Sequence, residues 1–151
     1  MSEAIVKRCA IIMTLILAAL ASCGKQHVRT AYPAPRALQA DALPALRVHF
    51  PAGGDDPVRG ELAFIVRDAR WISENPDAVI VLEGHCDERG GDAFNLELGD
   101  RRARSVAELL ARNGADPSRI VIVSQGEREP LDARHTEDAW RKNRRVEFIV
   151  R

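Results

Sequence analysis

Val79-Ile80-Val81-Leu82-Glu83-Gly84-His85-Cys86-Asp87-Glu88-Arg89-Gly90-Gly91 is an apolar run that passes directly into a polar loop closed by glycines. Four consecutive apolar residues, three of them β-branched, are too few for an ordinary helix and suit a central strand covered on both faces. A loop rich in ionisable groups then sits at the carboxyl end of that strand.

Working outward, Asp92 starts a helix that closes at Asn113-Gly114, with Ala103, Val106, Ala107 and Leu110 as its buried stripe. Arg104, Glu108 and Arg112 recur at i, i+4 steps on the outside. Ile120 to Val123 reads as another strand, and the loop from Gln125 to His135 contains Pro130. Thr136 caps a short helix through Lys142, and Arg145 to Val150 forms the last strand with Val146, Phe148 and Val150 on one face.

Upstream, Leu46, Val48 and Phe50 alternate with Arg47 and His49 as in a half-exposed strand, ended by Pro51-Ala52-Gly53-Gly54. Asp56 is placed to cap a helix that begins at Pro57 and buries Leu62, Ile65, Val66, Ala69 and Ile72. Asn75-Pro76 stops it. The order is β-α-β-α-β-α-β, an α/β domain over 45–151.

With 151 residues, 46% hydrophobic and 29% charged, the chain supplies one ordinary core. The 22 basic residues equal the 22 acidic ones, so no global basic surplus drives binding to nucleic acid.

The N-terminus reads as an address. Lys7 and Arg8 precede an apolar run from Cys9 to Leu20, which has the length of a secretory signal and is short for a spanning helix. Leu20-Ala21-Ser22-Cys23 follows and resembles a bacterial lipobox, in which the cysteine is acylated and becomes the first mature residue. The alternatives are a plain signal peptide cut nearby and an uncleaved anchor.

Loss of residues 1–22 leaves 20 of the 22 basic and 21 of the 22 acidic side chains, and only Cys23 and Cys86. If Cys23 carries lipid, Cys86 has no intramolecular partner. Residues 23–44 are rich in Ala and Pro, with Tyr32-Pro33-Ala34-Pro35 at the centre, and read as a tether reaching about 70 Å at about 3.5 Å per residue.

The main chemical clue is Arg102, which lies four residues after Leu98 and four before Val106, at the edge of the apolar stripe. A guanidinium stays charged and needs hydrogen-bond partners where it faces a core. Asp87 is the nearest sensible one. Spacing leaves two readings open, a structural pair tying loop to helix or a binding site.

Three segments carry a resemblance. Gly84-His85-Cys86-Asp87-Glu88-Arg89-Gly90, Asn95-Leu96-Glu97-Leu98-Gly99-Asp100-Arg101-Arg102-Ala103 and Lys142-Asn143-Arg144-Arg145-Val146 resemble the OmpA-like domain, and its peptidoglycan-associated lipoprotein branch in particular. The resemblance implies a four-stranded mixed sheet with helices on one face and no cofactor. It also implies a pocket for the diaminopimelate residue of the peptidoglycan stem.

On that resemblance Asp87 and Arg102 are the main contacts, Asn95 orders the loop or touches ligand, Phe94 stands where the family often has Tyr, and Phe50 and Arg144 line the wall. The side-chain end of diaminopimelate carries an ammonium and a carboxylate on one carbon, so a carboxylate and a forked guanidinium read both charges. The resemblance further implies lipidation at Cys23, an outer-membrane anchor with the domain facing the periplasm, and a partner in the periplasmic component of the Tol system. Two positions depart from the family pattern: Pro51 follows Phe50 where Asp is common, and Gly91 replaces a common Thr.

Other residues have plainer readings. His85 and Cys86 are adjacent, but successive strand-end residues point to opposite sides and no spaced ligand set accompanies them. Trp71 and Trp140 suit the ends of a core, while Arg141, Lys142, Arg144 and Arg145 suit a solvated face or an acidic partner. The function expected is a non-catalytic wall anchor of the Tol system supporting envelope integrity and constriction at division. A lipoprotein of another envelope or secretion machine is the alternative, and an enzyme is disfavoured because no acid/base pair stands out.

Overall fold

The computed structural model describes residues 47–151. The leader 1–22, the stretch 23–44 with Cys23, and Leu46 lie outside the described residues. Within them the elements follow the expected order: β1 (Arg47–His49), α1 (Leu62–Glu74), β2 (Ile80–His85), α2 (Asp92–Arg112), β3 (Ile120–Gly126), α3 (Glu137–Asn143) and β4 (Arg145–Val150). Single 3₁₀ turns at Arg59–Glu61 and Pro117–Arg119 precede α1 and β3.

The four strands form one mixed sheet in the order β1-β4-β2-β3. β4 runs antiparallel to β1 and β2, whereas β2 and β3 are parallel and joined through α2. Register places Val48 opposite Val146, Leu82 opposite Phe148, and Ile80 opposite both Val150 and Ile120. One sheet face therefore presents an apolar row, which α1 and α2 cover with Ile65, Ala69, Ile72, Ala103, Val106 and Leu110. Burying each large side chain there contributes about 1.5 to 3 kcal/mol.

Among the described residues, helices cover only that face. Val81 and Glu83 on the other side of β2 are half-buried, so the continuous apolar run does not mark a strand covered on both faces. Both helices pack on the same layer, and neighbours in the sheet, such as Ile149 opposite Val81, supply the partial cover.

α1 also differs from expectation. It starts at Leu62 rather than Pro57, because the chain is still tied to β1 there: Val58 N donates to His49 O at 3.0 Å and the Glu61 carboxylate meets His49 at 3.0 Å. Its buried face is Ile65, Asp68, Ala69 and Ile72, an i, i+3, i+4, i+7 set. Leu62 and Val66, expected inside, stand on its flank and are 42% and 48% exposed.

α2 keeps its predicted limits, with Gly114 at φ +99° just beyond it, a conformation that glycine adopts without steric cost. Ala107 is half-buried rather than buried, and Asn95, Gly99 and Arg102 extend the inner face toward the helix start. Gly99 lies against Gly84 of β2 so closely that a β-carbon on Gly84 would overlap the Gly99 carbonyl. Arg112 pairs with Glu108, while Arg104 turns back to Asp100.

Thr136 Oγ1 accepts from Ala139 N and caps α3 as expected. Among the described residues no helix is long and apolar enough to cross a membrane.

Candidate functional site

The close approach of Gly84 and Gly99 brings the start of α2 over the end of β2, and the loop between them folds on its own polar groups. Cys86 N donates to Gly126 O at 2.7 Å, which holds the exit of β2 against β3. Asp87 then turns back on the chain, accepting from Arg89 N at 3.1 Å, the side-chain-to-backbone turn typical of Asp. Gly90, at φ +127°, lets the chain reverse into α2.

A cavity of about 270 Å³ opens between this loop, the first turns of α2 and the Ala52-Gly53 loop. Asp87, Arg89, Phe94, Asn95, Leu98 and Arg102 line it, with Cys86 at its base. Of the six sequence-predicted pocket residues, Asp87, Arg102, Asn95 and Phe94 meet here. Phe50 and Arg144 stand behind the cavity.

Asp87 is buried, yet both carboxylate oxygens are paired. Oδ2 accepts from Arg89 Nη2 at 2.8 Å and from Arg144 Nη1 at 3.0 Å, and Oδ1 accepts from Arg89 Nε at 3.2 Å. Burial alone would push its pKa up, but the hydrogen bonds from Arg89 and Arg144 outweigh it and hold the carboxyl below its ordinary value. Arg144 itself is buried, and also donates to Phe50 O and Glu137.

Arg102 does not pair with Asp87. The residue is 1% exposed, and its guanidinium donates to Gly54 O at 2.8 Å, His85 O at 3.0 Å and Pro51 O at 3.1 Å, with Cys86 Sγ at 3.4 Å. It is a clamp between the loop after β1 and the end of β2, and it sits 5.2 Å above the Phe50 ring. Three carbonyls placed around one planar cation satisfy it without a carboxylate.

Asn95 donates from Nδ2 to Asp87 O and to Glu127, and its carbonyl accepts from the Cys86 thiol at 3.3 Å. Burial raises the Cys86 pKa. Phe94 is 52% exposed, an apolar surface at the cavity mouth.

Cys86 lines the cavity and His85 does not. Among the described residues neither ring nitrogen of His85 makes a hydrogen bond of good geometry, although the Glu129 backbone lies close enough to favour the protonated ring. Burial and the Arg145 charge lower the His85 pKa to about 4.

Two parts of the site were not singled out in the sequence. Arg89, 43% exposed, stacks on Trp140 at 4.2 Å, and Trp140 Nε1 donates to Glu88 at 2.8 Å. Trp140 thus supports the loop instead of closing the core. The second part is a smaller cavity of about 220 Å³ beyond Cys86, walled by Glu127, Asp132 and His135, where Glu127 accepts from Asn95 and Asp132 from Arg134 and Lys142. A clue to Arg89 was present in its place two residues after Asp87 and before two glycines. The basic cluster also divides: Arg141 and Lys142 are exposed, whereas Arg144 and Arg145 are buried.

Comparison with known proteins bears on the fold and the family. The chain is 42% identical over 81 residues to a peptidoglycan-associated lipoprotein of Legionella pneumophila, covering 54% of this chain and 46% of that one. It is 46% identical over 69 residues to that of Pseudomonas aeruginosa, covering 46% and 41%. The match thus spans about half the length of these curated relatives or less. Among solved structures, the peptidoglycan-associated lipoprotein of Burkholderia pseudomallei superposes with a TM-score of 0.69 at 28% identity, covering 71% of this chain and 91% of that one. The C-terminal domain of Helicobacter pylori MotB shares the fold, with a TM-score of 0.65 at 24% identity. Residues 55–144, more than half of the chain, match the OmpA family profile, and the chain belongs to the OmpA family.

Proposed function

We propose that this domain is a non-catalytic peptidoglycan-binding module of an envelope lipoprotein, and that its cavity takes the diaminopimelate end of a stem peptide. The observation that carries this reading is the buried, charged Asp87 lining a 270 Å³ cavity beside Asn95, Phe94 and Arg102. Asp87 receives the ligand ammonium, and Arg102 fixes the cavity wall and adds positive potential. Asn95 orders the loop, Phe94 covers the aliphatic stem, and Phe50 and Arg144 support Arg102 and Asp87 from behind. Backbone N–H groups at the start of α2 favour a ligand carboxylate.

Residues 1–22 act as a lipoprotein signal, Cys23 carries the lipid, and 23–44 tether the domain to the outer membrane from its periplasmic side. In this role the protein anchors the membrane to the wall and works with the periplasmic component of the Tol system in envelope integrity and constriction.

Pull-down on purified sacculi tests the site. Wild type pellets with diaminopimelate-type wall and poorly with Lys-type wall, and Asp87→Ala loses about 2 to 4 kcal/mol of binding, roughly 30-fold or more. An Asp87→Ala protein that stays folded and still pellets refutes the assignment. For the anchor, Cys23→Ser leaves an unprocessed or released protein, and unchanged outer-membrane fractionation of that variant refutes it.

A further inference from the structure

We infer that Arg89 is the group that reads the ligand carboxylate, and that it does so by exchange, releasing Asp87 as the ligand's ammonium arrives. The inference rests on the proposed function and specifies how that site discriminates among ligands.

Arg102 has little left to offer a ligand. The residue is 1% exposed, and its three guanidinium nitrogens already donate to the carbonyls of Pro51, Gly54 and His85. Arg89 has the opposite character. It lines the cavity, it is 43% exposed, and its side-chain bonds go to a single partner in the site, Asp87, apart from a longer 3.5 Å contact with Glu137.

The Arg89–Asp87 pair blocks the carboxylate that an incoming ammonium needs. Arg89 is reached by solvent and can be rehydrated when the pair opens, while the incoming ammonium restores the positive charge beside Asp87. Asp87 does not become isolated when Arg89 leaves, because Arg144 holds Oδ2 from the buried side and Asn95 holds the Asp87 backbone carbonyl. Arg89 does not become isolated either, since Trp140 lies under its guanidinium at 4.2 Å and is itself fixed by Glu88.

A ligand with ammonium and carboxylate on one carbon can then insert between the two. Its ammonium replaces Arg89 on Asp87, and its carboxylate replaces Asp87 on Arg89, so two charge-assisted contacts are exchanged for two. A ligand with the ammonium alone opens the pair and leaves Arg89 with only its longer 3.5 Å contact to Glu137. The closed pair therefore penalises the ligand that lacks a carboxylate.

The sign of one substitution decides the matter. Affinities of soluble muropeptides carrying diaminopimelate or Lys are measured by calorimetry for wild type, Arg89→Ala and Arg89→Gln, the last keeping a side chain over Trp140. Exchange predicts that both variants bind the diaminopimelate muropeptide roughly tenfold or more weakly, and bind the Lys muropeptide as well as wild type or better. If Arg89 merely competes for Asp87, both muropeptides bind the variants more tightly, and the exchange is overturned while the proposed function stands. Wild type that fails to bind the diaminopimelate muropeptide overturns both.

Discussion

Arg144 holds Asp87 from behind, donating Nη1 to Oδ2 at 3.0 Å with the two side chains only 6% and 8% exposed. Ninety-four residues from Phe50 in sequence, Arg144 also donates to the Phe50 carbonyl at 3.2 Å, so one side chain links the residue after β1, the β2 loop and the entry to β4. A buried pair of this kind contributes modestly as a pair but is costly to break on one side.

Arg144→Met should destabilise the domain by about 3 to 5 kcal/mol, because Asp87 is left partly buried with only the solvent-reachable Arg89 as cationic partner. Urea denaturation measures it. A loss below about 1 kcal/mol would mean that water reaches Asp87 and that Arg144 is not its main support.

Arg102→Ala should cost a similar amount, about 3 to 5 kcal/mol, since it strips donors from three carbonyls and removes a large buried side chain. Arg102→Lys should restore little of this, as one ammonium on a flexible stem does not reproduce a planar fork. Equal stability of the Lys variant and wild type would show that charge alone holds the two loops together.

Gly84→Ala should destabilise by about 3 kcal/mol or more, because its β-carbon meets the backbone of Gly99 rather than a movable side chain. Thermal denaturation tests this, and an unchanged midpoint would show that α2 can slide off β2.

His85 makes stability depend on pH. Its folded pKa of about 4 lies below the ordinary 6.5, so between these values the unfolded chain binds more protons than the folded one. Stability should fall as pH drops from about 6.5 to about 4, by up to about 3 kcal/mol, and this contribution should level off below. His85→Leu should flatten that slope. Urea midpoints at pH 7 and pH 4.5 that differ equally in both proteins would assign the slope to other groups.

The sequence alone determined the element order, the limits of α2 and α3, and the one-sided apolar pattern of β4. These follow from local causes: Thr136 as a cap, Gly114 beyond a helix end, and alternation at Val146, Phe148 and Val150. Chain-local cues also brought Arg102 and Asp87 to attention, and the family resemblance added Asn95. Tertiary structure alone decided their partners. Arg102 is met by Pro51 and Gly54 from 51 and 48 residues away, and Asp87 by Arg144 from 57, separations at which spacing carries no directional information. The same holds for α1, whose Leu62 and Val66 satisfy a helical period yet face outward, because the packing of both helices on one sheet face chooses which side of an apolar helix is buried.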